Sequence, residues 1–118
     1  MKLGWKKQLY IATKQSVLTN EYGNDEIIYN RPINYMFNYQ PANGDTEIAL
    51  YGEKVTAMYK AVIPYKLYNG KFKEGDVAYL NQATPKGETK YGNNANYTII
   101  SVMPQNKAII LYFEKIIK

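Results

Sequence analysis

Residues 96–115, NYTIISVMPQNKAIILYFEK, decide the fold class of this chain. Both ends of the stretch are rich in β-branched and aromatic residues, which predicts two strands, Tyr97–Val102 and Ala108–Lys115. Met103–Lys107 is then the connection of a hairpin. The second strand is apolar on both faces, so we expect it to lie at the centre of a closed barrel or beneath a neighbouring subunit.

Alternation with period two continues upstream of this hairpin, and helical periodicity is scarce. Further short strands are predicted at Gln8–Thr13, Glu26–Tyr29, Ile33–Tyr39, Lys54–Pro64 and Val77–Leu80. Asn69–Gly70 has the composition of a two-residue hairpin turn. One short helix is predicted from Asp45, which can cap it, to Gly52, which can end it with a left-handed residue.

These elements predict a single all-β domain over residues 1–118. We expect a small antiparallel β-barrel or sandwich of six to seven strands, with one short helix and two long loops. The loops, Gln40–Lys54 and Asn81–Asn96, exceed the usual length of a connection. Because long loops on a rigid small barrel commonly carry function, we expect functional residues there.

The composition argues against catalysis. The 118 residues include no Cys and no His, which excludes disulfides, thiolate nucleophiles and imidazole chemistry. The acidic pairs near residues 25, 46 and 75 lie where turns and helix starts favour carboxylates, so we interpret them as structural. We therefore expect no enzyme, no cofactor and no metal site. Lysines interrupt the N-terminus where a signal peptide would be apolar, and no apolar stretch approaches membrane-spanning length, which predicts a cytoplasmic site of folding and no membrane partner.

The formal charge is +5, yet Arg31 is the only arginine. Proteins that recognise bases and phosphates usually depend on arginine. The positive charge is therefore better explained by a solvated basic surface. Thirteen tyrosines accompany the lysines, and some are interleaved with them, as in Tyr59-Lys60, Tyr65-Lys66 and Tyr68. We favour core and interface positions for these rings, with base stacking as the alternative.

Three segments carry a resemblance to a known family: the turn Asn20–Asn24, the loop from Asn43 through Tyr51-Gly52-Glu53, and the step Phe72–Leu80 before the terminal hairpin. In this order they resemble the small β-barrel head–tail connector proteins of long-tailed bacteriophages, which include head-closure, stopper and adaptor proteins. The resemblance implies a virion structural protein that forms a homo-oligomeric ring, six- or twelve-fold, in the neck. Such a ring extends the channel for double-stranded DNA without reading its sequence, and it contacts the portal or adaptor and the tail.

The resemblance also suggests candidate site residues. A channel loop would contain Asn43, Gly44, Asp45, Thr46 and Glu47, and contacts between subunits or with partners would involve Tyr51, Tyr91, Asn93 and Asn94. Two alternatives stay open: a single-stranded nucleic-acid binding module on an oligonucleotide-binding type of barrel, and a tail-completion or terminator protein. The resemblance to connector proteins also implies that the chain is made in the host cytoplasm.

Overall fold

The computed structural model describes residues 7–42 and 44–116. Within these ranges nine strands alternate with a few short helices. The strands are β1 (Lys7–Ala12), β2 (Lys14–Thr19), β3 (Asp25–Tyr29), β4 (Ile33–Phe37), β5 (Tyr39–Pro41), β6 (Met58–Pro64), β7 (Val77–Tyr79), β8 (Tyr97–Gln105) and β9 (Ala108–Lys115). The helices are α1 (Asp45–Tyr51), a 3-10 helix (Gly52–Ala57) and α2 (Tyr65–Tyr68). The all-β class predicted from the sequence is confirmed.

Seven strands form one antiparallel sheet in the order β4-β1-β7-β8-β9-β6-β5, and it curls into a half-barrel. Its two outermost strands, β4 and β5, are separated in the chain by Asn38 alone. The first pairs with β1 and the second with β6, so one nearly continuous segment serves both ends of the curled sheet. The remaining strands, β2 and β3, pair only with each other as a separate two-stranded sheet.

Strict alternation divides the sheet residues between two faces. In β1, Leu9 and Ile11 point into the curl, whereas Tyr10 and Ala12 belong to a cluster on the outside. The concave side holds the main core, which also includes Phe37, Ile63, Phe72, Ala78, Leu80, Ile99, Leu111 and Phe113. β9 contributes to both faces, since Leu111 and Phe113 lie inside and Tyr112 lies in an outer cluster. Its two-sided apolar pattern is thus explained within one chain.

The two long loops cover the outside of the sheet. Residues 44–57 lie over β6, β8 and β9, where Ala42, Met58 and Tyr112 form a buried cluster. Residues 81–96 lie over β1 and β7, where Ala12, Val77, Tyr79 and Ala95 form another. Each loop therefore supplies a second layer to a sheet that is otherwise one layer thick.

Three local predictions were wrong. Strand β2 was not expected, because KQSVLT lacks a clean alternation, and in the structure none of its six residues is buried. The first part of the predicted strand Lys54–Pro64 is instead the end of the 3-10 helix, and the strand begins at Met58. The terminal hairpin has a shorter connection than expected, with Asn106 at a φ of 45° between β8 and β9. Pro104 is accommodated in β8 because β7 pairs only with its first residues.

The predicted hairpin turn at Asn69-Gly70 was also wrong. Asn69 has a φ of −58° and a ψ of 122°, and only Gly70 has a positive φ, 75°. These angles define a type II turn, in which the amide of Lys71 donates to the carbonyl of Tyr68 at 3.0 Å. The turn follows α2 rather than a strand. By contrast, the predicted end of α1 is confirmed, since Gly52 is its C-cap with a φ of 60°.

Candidate functional site

Residues 14–29 form a hairpin that we call the arm: β2, a tip and β3. Asn20 closes the tip, because its side-chain oxygen accepts hydrogen bonds from the amides of Tyr22 and Asn24 at 2.9 and 3.0 Å. Gly23 provides the positive φ that this turn needs. Thr19 and Asp25 face each other across the ladder with a hydrogen bond of 2.7 Å. The arm is thus a defined two-stranded ribbon.

The arm leaves apolar side chains in solvent. Val17 lies directly opposite Ile27, and these side chains are 46% and 43% exposed. Leu18 is also exposed on the other face, and Tyr22 at the tip is 80% exposed. An isolated two-stranded hairpin is only marginally stable in water, and this one leaves its apolar residues uncovered by the rest of the described chain.

The arm is tied to the body mainly at its root. The Lys14 amide donates to the buried carboxylate of Asp76 at 2.8 Å, and Asp76 also accepts from the Lys73 amide at 2.9 Å. Tyr29 packs against Gly92, whose missing side chain makes room for the ring. Farther along the arm, Glu26 forms an ion pair with Lys90. A groove of about 630 Å³ lies between β3 and residues 88–93.

The loop 81–96 is held by one buried hydroxyl. Tyr79 donates to the carboxylate of Glu88 at 2.8 Å and accepts from the Gly92 amide at 2.8 Å. The same carboxylate accepts from the Asn94 amide at 2.9 Å. Burial and the hydrogen bond to Glu88 raise the pKa of Tyr79. The loop conformation, and with it the position of the arm root, therefore depends on this hydroxyl.

The segment 40–54 is anchored by Glu47. Its carboxylate is buried and accepts from Lys60 Nζ at 2.9 Å and from the Tyr112 hydroxyl at 3.2 Å. The hydrogen bond from Lys60 holds the pKa of Glu47 below its usual value, against the burial that would raise it. Burial, followed by the charge of Glu47, raises the pKa of Tyr112 to about 12. Glu47 thus holds α1 against the outside of the sheet.

The predicted channel-loop residues lie at the start of α1. Gly44 is the N-cap, a position that we had expected for Asp45. A side-chain carbon at Gly44 would lie 2.7 Å from the carboxylate of Glu47, so this glycine permits the anchor. Asn43 lies outside the described residues, as do the side chains of Asp45 and Thr46.

The predicted contact residues divide between the two loops. Tyr51 is half-buried against Tyr112, with ring centroids 5.3 Å apart, whereas Tyr91 and Asn93 are exposed on the other loop. Asn94 has a structural role, because its side-chain amide donates to the carbonyls of Thr84 and Lys86 at 3.2 Å. Tyr51 therefore lies over a different part of the sheet from Tyr91, Asn93 and Asn94.

A second, partly uncovered area, which we call the outer patch, lies on the convex face of the sheet. Val62, Ile110 and Met103 are cross-strand neighbours on β6, β9 and β8. Val62 is 53% exposed, whereas Ile110 and Met103 are half-buried beside the cluster of Ala42, Met58 and Tyr112. The amide of Tyr65 donates to the carbonyl of Lys107 at 3.0 Å, which joins α2 to the β8–β9 turn. We include in the outer patch the exposed residues at this junction, which are Leu67, 70% exposed, and the lysines Lys66 and Lys107.

Sequence reasoning missed both the arm and the outer patch as sites. The turn Asn20–Asn24 was recognised, but β2 was not, so the hairpin had no predicted first strand. A signal was present in the apolar dipeptides Val17-Leu18 and Ile27-Ile28 on either side of the turn, of which Val17 and Ile27 form a cross-strand pair. The outer patch had no such signal, since its members come from four separate segments of the chain.

In the part of the chain that the structure describes, no three acidic side chains gather as a metal site would require. None of the described helices is long and apolar enough to cross a membrane. Comparisons with protein-family models, with curated proteins and with solved structures found no match to this chain.

Proposed function

We propose that this chain is a structural protein of a bacteriophage head–tail connector, in which copies form a ring that extends the DNA channel and docks the tail. The observation that carries the proposal is the arm, a ribbon with uncovered apolar residues that extends from the body of the chain. A small module with such an extension is suited to contacts between proteins. The sequence contains neither Cys nor His.

The segments that carry the family resemblance support this proposal by their positions. The turn Asn20–Asn24 is the tip of the arm. In the step Phe72–Leu80, Phe72 is buried in the core and Asp76 binds the amide at the arm root. Two of the three segments thus build and hold the arm, whereas the third, which includes Glu47, contacts β6 and β9.

In a ring of this kind, α1 would be the element of the channel loop that faces the lumen. Glu47 is turned into the body, whereas Ile48 and Leu50 are exposed on the same helix. A lumen surface made of such neutral side chains would not hold the DNA phosphates tightly, which suits a channel through which the genome must leave.

The alternative of single-stranded nucleic-acid binding has less support from the geometry. Its proposed stacking residues, Tyr59, Tyr65 and Tyr68, pack against the main core. The ring of Tyr59 contacts those of Tyr39 and Tyr97, each with centroids 5.5 Å apart. Rings that are already packed against other rings offer little free face to a base.

A stop codon at Glu21 in the encoding phage genome tests the proposed function. We expect lysates with separate heads and separate tails, with DNA lost from the heads, in negative-stain micrographs. Supplying the full chain in trans should restore joined virions, and a synonymous change at the same codon serves as the control. Normal numbers of intact virions from the stop mutant would contradict the proposal.

A further inference from the structure

We propose that the arm of one copy docks on the outer patch of a second copy of this chain. The inference rests on the proposed function, because a ring requires each copy to contact the next, and it names the surfaces that meet. Contact between two different surfaces is heterologous, and a heterologous contact repeats from copy to copy until the ring closes.

Charge complementarity identifies a second copy as the occupant. The arm contains one basic residue, Lys14, and three acidic ones, Glu21, Asp25 and Glu26, so its formal charge is −2. The whole chain has a formal charge of +5, which leaves +7 on the remainder. The outer patch has the matching sign at its end, where Lys66 and Lys107 are exposed. Opposite charges around apolar centres steer the two surfaces together and fix their orientation.

The arm presents one face for this contact. Leu18 and Glu26 are cross-strand partners on one face, where Glu26 pairs with Lys90 of the loop 81–96. The other face carries Val17 and Ile27, with Asp25 two residues along the same strand. Val17 and Ile27 stay 46% and 43% exposed, although Ile27 also borders the groove beside residues 88–93. This face combines an apolar pair with an acidic rim, as the outer patch combines an apolar row with basic ends.

The arm cannot contact the outer patch of its own chain while its root stays in place. It continues from β1 and is tied to Asp76 and Gly92, beside the loop that covers β1 and β7. The outer patch lies on β6, β8 and β9, on the part of the sheet that the other loop covers. The contact is therefore between copies.

Disulfide trapping tests the contact, because the chain has no native cysteine. Val17→Cys and Val62→Cys proteins, made separately with tags of different size, are mixed at high concentration and oxidised. We expect the mixed disulfide to be the main product. Mixing Val17→Cys with Lys86→Cys, an exposed position on the loop 81–96, is the control and should give little product. Any of three results would overturn the proposal: equal yields in the two mixtures, a product that is mainly the Val17→Cys homodimer, or no intermolecular disulfide.

A charge exchange provides the second test. One altered partner is the Val17→Cys protein with Glu21→Lys and Asp25→Lys. The other is the Val62→Cys protein with Lys66→Glu and Lys107→Glu. Either altered partner should lower the yield of the mixed disulfide about fivefold, as expected from the loss of two exposed ion pairs. Combining both altered partners should restore it. All four positions are exposed, but Asp25→Lys also removes the hydrogen bond from Thr19, so the thermal unfolding of each variant is compared with that of its Cys parent to verify that the body stays folded. A failure of the combination to restore the product would contradict the assigned pairing.

The two proposals fail separately. Unjoined heads and tails from the stop mutant, together with absent trapping, would leave the connector role standing and refute the arm contact. Efficient trapping together with normal virions would establish a contact between copies and refute the connector role.

Discussion

At the scale of single residues, two buried polar groups hold the loops on the sheet. Glu47 joins α1 to Lys60 and Tyr112, and Tyr79 joins the loop 81–96 to β7 through Glu88 and Gly92. Each is a polar group placed among apolar residues, where a lost partner costs its full desolvation. These side chains therefore control whether the loops stay in place, although neither faces solvent.

Replacing Glu47 by Gln should lower the free energy of unfolding at pH 7 by about 1–2 kcal/mol, because a charged hydrogen bond to Lys60 becomes a neutral one. The lowered pKa of Glu47 in the folded state means that its carboxylate stabilises the protein above its unfolded pKa and loses that contribution as the pH falls. The parent should therefore lose stability more steeply than Glu47→Gln below about pH 5.

Denaturant unfolding at a series of pH values measures both effects. Glu74→Gln, at an exposed turn, is the control and should follow the parent at neutral pH. Parallel pH profiles for the parent and Glu47→Gln would show that the interaction with Lys60 contributes nothing to stability.

At the scale of elements, the loops and the arm are coupled through Gly92. This residue has a φ of 91°, and a side-chain carbon placed on it would lie 2.6 Å from Cδ2 of Tyr29. The loop thus supports the arm through one close contact at its root. The groove beside β3 leaves the rest of the ribbon without such support.

Gly92→Ala should therefore displace Tyr29 and loosen the arm. We expect faster hydrogen exchange of the β2 and β3 amides, with exchange in β8 and β9 unchanged. The matched control is Gly87→Ala, since Gly87 has a φ of 78° and no neighbour within 4 Å of the added carbon. Gly87→Ala introduces a similar backbone strain of about 1–2 kcal/mol at a positive φ, but without a steric clash. Equal exchange in the arms of the two variants would show that the Tyr29 contact does not hold the arm.

At the scale of the whole molecule, shape and charge are both uneven. The chain measures 54 × 28 × 26 Å with a radius of gyration of 14.8 Å, above the roughly 13.5 Å of a compact chain of this length. The described hairpin is acidic, and the rest of the chain carries the positive charge. This distribution favours contact between copies over a continuous basic groove for nucleic acid.

We accordingly expect weak binding to oligothymidine that disappears at physiological salt and does not exceed binding to a duplex of equal length. Fluorescence anisotropy across a salt series measures this, with the duplex as the control. Micromolar or tighter binding to the single strand that survives physiological salt would favour the nucleic-acid binding alternative.

Much of the fold was predictable because its signals are local. The two-sided apolar strand Ala108–Lys115, the alternation in Ile33–Phe37 and the glycine that ends α1 all follow from a few neighbouring residues. The arm was only half predictable, since an exposed strand such as β2 has no buried face to impose a pattern on its sequence.

The candidate site depended on contacts that no local pattern contains. Glu47 accepts hydrogen bonds from Lys60 and Tyr112, which are distant in the sequence. Val62 becomes a neighbour of Ile110 and Met103 only through strand pairing. The sequence by itself determined the all-β class, the positions of the long loops and the absence of Cys and His chemistry. Only the tertiary structure decided that the loops cover the sheet while the arm and the outer patch stay open, because burial depends on which distant segments the folded chain brings together.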